Sequence, residues 1–514
     1  MDLLDNVDFP EIHWILVSSV VVLSSVWWMA GRQKMTSKPS NFPPYPEPPS
    51  FIFGHLLKLA GDSRQTMRKW RQKSGDIYSL DFRGKHYIVI NGYDKFKDVL
   101  VHHADHVPDA PPSFLTRILN EDNKGIAESR GDNWKEQRKV SLSILREFGL
   151  GKNVLAERIQ KEVSIYTDTL AGYNGCPVDV RLPTTVSISN IICAIVVGRR
   201  FEYDDPDFLQ LIGHMTNAAK YFIWLPLLTF FPFLYYLPGD LFYGKRLVSS
   251  FTEINSSFSQ AHIHLAKSRR QAAPDNFIAA YLDKMSRKLQ GQEQTLMDEA
   301  NLVAVIRNLF IAGTDTTSAI ILWCLLYMLH HPDIQERVYL EIRSQVGEDR
   351  PVSIHDKPRL PLLNAVVMET QRHSSITPFA TPREVITTFE SHGFTFPKGS
   401  VVLPNIDSIL HDERVWHDPH RFRPERFLDQ HGHLLQPEQF IPFSIGRRVC
   451  LGESLAKMEL FLFIAGILQR FKLEPEVEGE LPPLKEVYGA ICSPQDFRIR
   501  FVARCQDGDV AFHA

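Results

Sequence analysis

The stretch Phe440–Arg470, FIPFSIGRRVCLGESLAKMELFLFIAGILQR, decides how the rest of the chain is read. Within it Phe443, Gly446, Arg448, Cys450 and Gly452 form the pattern F-x-x-G-x-R-x-C-x-G. An apolar run of helical period follows at once, carried by Leu455, Met458, Leu462, Ile464 and Leu468, with Lys457 and Glu459 between them. Two glycines open backbone conformations closed to other residues and let something large approach closely. Arg448 offers a charge-assisted fork to a carboxylate. A thiolate at the start of a helix is favoured by the free backbone N–H groups and the dipole there. Cys450 therefore reads as a metal-ligating cysteine, against the plainer alternative of a buried free thiol in a glycine-rich turn.

Composition bounds the answer. The chain has 514 residues, 44% of them apolar, enough for a large core in one fold or several. A net charge of −3 argues against a nucleic-acid partner. The six cysteines (176, 193, 324, 450, 492 and 505) include no CxxC, so neither a disulfide framework nor a zinc ribbon is indicated, and the catalytic part is expected in a reducing compartment.

At the N-terminus, Ile12–Ala30 is a 19-residue run without carboxylate, lysine or arginine, long enough for a bilayer core, with Trp14, Trp27 and Trp28 near its ends. Acidic residues precede it, whereas a cleaved signal would begin with basic ones. Arg32, Lys34 and Lys38 follow it, which predicts an uncleaved single-pass anchor with the remainder facing the cytoplasm. Six prolines between 39 and 49 predict a stiff extended spacer. The expected organisation is an anchor with basic flank (1–38), a proline-rich hinge (39–49) and one catalytic domain (50–514).

Further along, Ile77–Phe82 and His86–Ile90 read as a hairpin around Arg83-Gly84. His102, His103 and His106 show no partner to complete a metal site. Trp134 and Arg138, four apart on a helical stretch, set an indole N–H beside a guanidinium, a pair suited to a carboxylate. Phe201–Lys245 is highly aromatic and broken by Pro226, Pro232 and Pro238, so a second spanning helix is not expected there. Thr295–His330 predicts one helix of roughly 50 Å, starting near Thr295 and Asp298. It contains Ala312-Gly313-Thr314-Asp315-Thr316-Thr317, whose hydroxyls can bond back to helix carbonyls and open a polar niche, with a kink. Arg307 and Asp315 exclude it as a membrane span. Glu369-x-x-Arg372 and Phe422-Arg423-Pro424-Glu425-Arg426-Phe427 follow, and Gly393–Pro404 suggests a hairpin through Pro397-Lys398-Gly399.

Together these motifs resemble those of the haem-thiolate monooxygenases, the cytochrome P-450 superfamily, over about residues 50–505, most specifically in the loop around Cys450 and most closely the microsomal clan containing family two. The resemblance implies a mainly α fold with small β-sheets behind the N-terminal transmembrane helix. It implies haem b with Cys450 as axial ligand, and contacts to that haem from Trp134, Arg138, Arg383, Arg448, Phe443, Gly446 and Gly452. It assigns proton delivery to Asp315 and Thr316, and a buried structural network to Glu369, Arg372 and Arg426. Residues 201–245 become a roof over the pocket that dips into the membrane, and Tyr488–Ile491 the last substrate-contacting turn. The implied reaction inserts one atom of O2 into a lipophilic substrate (a fatty acid, steroid or xenobiotic) at the endoplasmic reticulum membrane. No Walker motif or Rossmann fingerprint is present, so electrons from NADPH must come through a separate NADPH–cytochrome reductase, with cytochrome b5 as a further donor. Lys135, Lys139 and Arg146 suggest a face for an acidic electron-transfer partner. A haem-thiolate isomerase or dehydratase and a non-catalytic membrane haem-binding protein are the competing classes; the intact acid–alcohol pair argues against the first.

Overall fold

The computed structural model describes residues 18–20, 39–59, 61–149, 153–269 and 274–504. The expected anchor, apart from Ser18–Val20, and Cys505 lie outside the described residues.

The helices that place the site, in chain order, are α1 (Ser63–Ser74), α2 (Phe114–Ile118), α3 (Gly131–Glu147), α4 (Asn153–Ala171), α5 (Arg181–Val196), α6 (Pro206–Tyr221), α7 (Leu225–Phe230), α8 (Gly244–Glu253), α9 (Glu299–His330), α10 (Pro361–Ser374) and α11 (Glu453–Arg470). The strands are β1 (Ile77–Phe82), β2 (Lys85–Ile90), β3 (Val178–Asp179), β4 (Arg383–Glu384), β5 (Phe389–Ser391), β6 (Phe394–Phe396), β7 (Val401–Pro404), β8 (Phe471–Pro475), β9 (Glu486–Tyr488), β10 (Cys492–Pro494) and β11 (Arg498–Ala503).

The axis of the molecule is α9. It is apolar on nearly every side, which in a folded protein means enclosure rather than one buried stripe. It packs against α5, α10 and α11, and the resulting core runs through Ile306, Phe310, Trp323, Leu460 and Phe463. It meets the length and hydropathy of a membrane span, yet most of its apolar stretch is buried by protein, so it is a core helix. Its N-cap is Asp298, whose carboxylate accepts from Asn301 N at 2.6 Å. The expected start near Thr295 is thus four residues early: the Thr295 hydroxyl is committed to Glu136 instead.

Beside this helical body lies the sheet β1-β2-β7-β4. The β1–β2 hairpin turns on Arg83 and Gly84, both at positive φ (56° and 83°), which the favoured two-residue hairpin turn requires. β2 then pairs in parallel with β7, setting Tyr87 against Val401, and β7 receives β4 on its other edge. The Pro397–Gly399 turn was expected to close a hairpin. It joins β6 to β7, which belong to different sheets; the local hairpin is β5–β6, turning at His392-Gly393. A chain reversal is legible locally, whereas the partner of each strand is settled by packing. The proline-rich segment lies along β1: Pro43 and Pro44 carbonyls accept from Ser79 Oγ and N, and Trp70 Nε1 donates to Glu47.

The aromatic stretch 201–245 forms α6, α7 and short 3₁₀ turns. Leu225 and Leu228 from it, with Phe114 and Leu115 of α2 and Leu247 and Phe251 of α8, make a separate apolar cluster that reaches Ile311 of α9. Tyr236 and Leu241 project outward from it.

Candidate active site

The loop before α11 is fixed at both ends. Gly446 takes φ 84°, and a Cβ there would stand 2.4 Å from the Leu100 carbonyl oxygen, so no larger residue fits. Ser444 is also left-handed, at φ 64°. Gly452 differs from the expectation of a conformational need: it takes no positive φ, and an added Cβ would meet no atom within 4 Å. Its side faces open space, so its use is clearance rather than backbone freedom. Phe443 is half-buried, and its carbonyl accepts from Cys450 N at 3.1 Å.

The Cys450 side chain can be touched by solvent although protein surrounds it on most sides. The thiol is thus reachable while recessed among protein atoms. Burial pushes the thiol pKa up, and the N–H groups of Gly452 and Glu453 and the Arg138 charge oppose this without overcoming it. The same signature recurs on α9: Ala312 is exposed in the middle of an otherwise buried helix, and Asp315 is partly accessible yet enclosed. Burial pushes the Asp315 carboxyl up to about 6, the distant Arg181 opposing. Thr316 donates to the Ala312 carbonyl at 2.7 Å, the back-bond expected of this motif, and the helix continues unbroken through it. Gly313 answers a packing demand: a Cβ there would stand 2.5 Å from Ile192 Cδ1 of α5.

Four basic or aromatic groups gather at one rim. Arg448 lies over Trp134, 4.5 Å from the ring centroid, and Arg138 flanks the same ring at 5.9 Å. Arg448 donates to the carbonyls of Pro108 (2.8 Å) and Ser129 (2.6 Å), Arg138 to Val449 O (2.7 Å), and Arg383 to Thr381 O (2.5 Å). The nearest carboxylate is Asp109, 3.7 Å from Arg448. Burial, with Arg448 and Arg138 alongside, pulls the Arg383 guanidinium down to about 9. Burial pulls Arg448 down to about 10, Asp109 opposing and Arg138 assisting. Burial lowers all three guanidiniums, and Arg383 and Arg448 are lowered further by their charged neighbours; such a cluster is a site for anionic groups. A ligand with two carboxylates and a metal above an accessible thiol fits these residues, and haem is such a ligand.

Behind the loop, Glu369 receives Arg372 Nε at 2.7 Å and Nη2 at 2.9 Å, and Arg426 Nε at 3.1 Å, all three being buried. Arg372 also donates to Leu410 O and Pro419 O, and Arg426 to the carbonyls of His417, Asp418 and Arg421. Two guanidiniums thus staple the irregular segment 410–427 to α10.

Some groups escaped the sequence reading. Glu459, noted in the sequence only as a charge between the apolar positions of α11, is 1% exposed: Thr317 donates to its Oε2 at 3.1 Å, and Oε1 lacks a partner among the described residues. The signal was a single charge inside an apolar run. Asn308 accepts from Ile126 N and Ala127 N, tying the segment before α3 to α9. The three histidines near 102–106 were read without an acidic neighbour. Asp98 is one, at 3.2 Å from His102 and 3.3 Å from His103, although no group among the described residues is arranged to hold a metal ion. Tyr488–Ile491 forms the turn between β9 and β10, with Ala490 N donating to Ala219 O at the end of α6.

The chain is similar to known proteins over nearly its whole length. The family model described as "Cytochrome P450" matches residues 43–501. The chain is 34% identical over 518 residues to cytochrome P450 2D9 of Mus musculus, covering 98% of this chain and 100% of that protein. It is 37% identical to cytochrome P450 2J1 of Oryctolagus cuniculus, covering 91% and 93%, and 37% identical to cytochrome P450 2U1 of Bos taurus, covering 83% and 78%.

Proposed function

The chain belongs to the cytochrome P450 family, and from that premise we propose how its own residues divide the work. It is a haem-thiolate monooxygenase of microsomal type, placing one oxygen atom from O2 on a lipophilic substrate with electrons from NADPH relayed by a reductase. The isomerase and haem-binder readings are not favoured.

The observation that carries the assignment is an accessible Cys450 thiol before α11 with the Arg138–Arg383–Arg448 cluster beside it; in this reading Asp315 and Thr316 form the opposite wall. When bound, haem supplies the reductive activation of dioxygen, and a thiolate ligand favours O–O cleavage. Cys450 would hold the iron through its sulfur, as the thiolate rather than the thiol that burial alone favours. Trp134, Arg138, Arg383 and Arg448 would hold the two propionates, whose charge would offset the burial of the guanidiniums. Phe443, Gly446 and Gly452 shape the loop and leave clearance for the ring. Asp315, poised at about 6, exchanges protons near neutral pH, and the Thr316 hydroxyl holds one on the same wall. Ile311 and the apolar roof keep water from this space. Glu369, Arg372 and Arg426 hold the loop from behind.

The exposed Lys135, Lys139 and Arg146 on one side of α3 give an acidic redox partner a docking face, open to cytochrome b5 as well as the reductase. Residues 12–30 anchor the chain once in the endoplasmic reticulum membrane with the catalytic domain in the cytoplasm, residues 39–49 set it against the surface, and 50–514 carry the chemistry. The decisive experiment is the carbon monoxide spectrum of the reduced protein. Wild type gives the red-shifted thiolate Soret band and Cys450→Ser does not; a histidine-type spectrum in wild type would overturn the assignment.

A further inference from the structure

Glu128 is a carboxyl for which the reaction has no use. Its backbone is held between the two halves of the site. Ile126 N and Ala127 N donate to Asn308 Oδ1, one turn before Ala312, while the Ala127 and Ser129 carbonyls accept from Arg448. The side chain between them is partly accessible yet surrounded by protein, the signature shared by Cys450 and Asp315. It thus sits between the rim that Arg448 occupies and the turn of α9 that leads to Ala312.

The facing wall is apolar. Phe114, Leu115 and Phe251 pack together and reach Ile311. Glu128 has one weak protein partner, the Ser113 hydroxyl at 3.4 Å, and forms no ion pair among the described residues. The neighbouring cations are taken: Arg307 by Glu121 at 2.6 Å and Asn255 at 2.9 Å, Arg130 by Asp122 at 2.8 Å, Lys124 by Asp298 at 2.5 Å. Burial pushes the Glu128 carboxyl pKa up; Arg307 and Ser113 pull it back, and Glu121 and Asp122 add to the rise. An uncompensated carboxylate in an apolar enclosure is costly, and a cation entering beside it removes that cost.

We propose that Glu128 is the polar anchor of the substrate pocket and that the enzyme takes lipophilic substrates carrying one cationic nitrogen. This rests on the monooxygenase reading above and narrows its substrate class. Ser113 orients the carboxylate, the apolar cluster accepts the hydrocarbon part, and the distance between anchor and iron selects the carbon attacked.

The test uses full-length holoenzyme in lipid and three matched ligands: an ω-phenylalkyl trimethylammonium ion, its neutral tert-butyl isostere, and the corresponding carboxylate. A quaternary nitrogen neither titrates nor ligates iron. Affinity is read from the haem spin-state shift and, independently of the iron, by equilibrium dialysis. Wild type should bind the cation at least about tenfold tighter than the isostere, and the carboxylate weakest. Glu128→Gln should abolish the preference, leaving the affinity for the isostere within about twofold. Glu128→Leu should bind the isostere best, and Glu128→Asp should restore part of the preference. A cation preference that survives in Glu128→Gln assigns it to Asp315 and overturns the proposal, as does a wild type that favours the isostere or the carboxylate. Failure of the underlying reading is seen separately, as loss of the thiolate carbon monoxide spectrum, while dialysis still reports on Glu128.

Discussion

Glu459 offers a direct measurement of what the α9–α11 contact costs. Its carboxyl is 1% exposed, bonded on one oxygen to Thr317 and without a partner on the other among the described residues, and burial pushes its pKa from 4.5 up to about 8. The folded-state pKa is raised, so the folded protein holds the proton more tightly than the unfolded chain. Below about 4.5 both states are protonated and the contribution is fully present; as pH rises toward 8 the unfolded chain ionises, the folded one resists, and stability is lost. At about 1.4 kcal/mol per tenfold, the loss attributable to this group reaches on the order of 4 kcal/mol by pH 8. Glu459→Gln keeps shape and the acceptor for Thr317 but cannot ionise. Urea unfolding of both proteins at pH 5, 6, 7 and 8 cancels every other titrating group in the difference. The variant should gain on the wild type steadily across this range. Parallel pH profiles would refute the reasoning and mean that Glu459 ionises freely in the folded state.

The other expectations concern the site and its supports. Gly313→Ala should destabilise by about 1–3 kcal/mol through the clash with Ile192, and in an Ile192→Ala background the same change should cost nothing; equal costs in both would show that the clash is not the reason for the glycine. Glu369→Ala strands two buried guanidiniums, a loss of about 3–5 kcal/mol seen as failure to accumulate haem-loaded protein, and a normal yield of holoprotein would count against the staple. Thr316→Ala should release more hydrogen peroxide per NADPH consumed, and unchanged coupling would remove that hydroxyl from proton delivery.

What the sequence made legible was local chemistry. The loop around Cys450 could be read because glycine, arginine and cysteine at fixed spacing leave little else to mean, and Gly446 proved to need its hydrogen. Helical spacing placed Glu369 beside Arg372, but the roles of that pair and of the adjacent Asp315 and Thr316 came from the resemblance. Arg426 likewise joined that pair only through the resemblance. Long-range consequences were hidden. Nothing near Gly313 mentions Ile192, nothing near β2 mentions β7, and nothing near Glu459 mentions Thr317, although a lone charge inside an apolar run marked the position. In each case the deciding partner lies on a separate element, and burial, a property of the assembled core, is absent from any single window of sequence.

The parallel pairing of β2 with β7 has a consequence for biosynthesis. Tyr87 waits for Val401, and Arg64 of α1 finds Glu486 only 422 residues later. At translation rates of 5–20 residues per second, the β2 edge stays without its neighbour for about 15–60 s. An unpaired edge rich in Tyr, Ile and Val is a template for association with other chains. The nascent polypeptide is therefore most vulnerable in the interval before β7 is made, and escape from aggregation during that interval, more than the stability of the finished fold, should set how much enzyme a cell obtains.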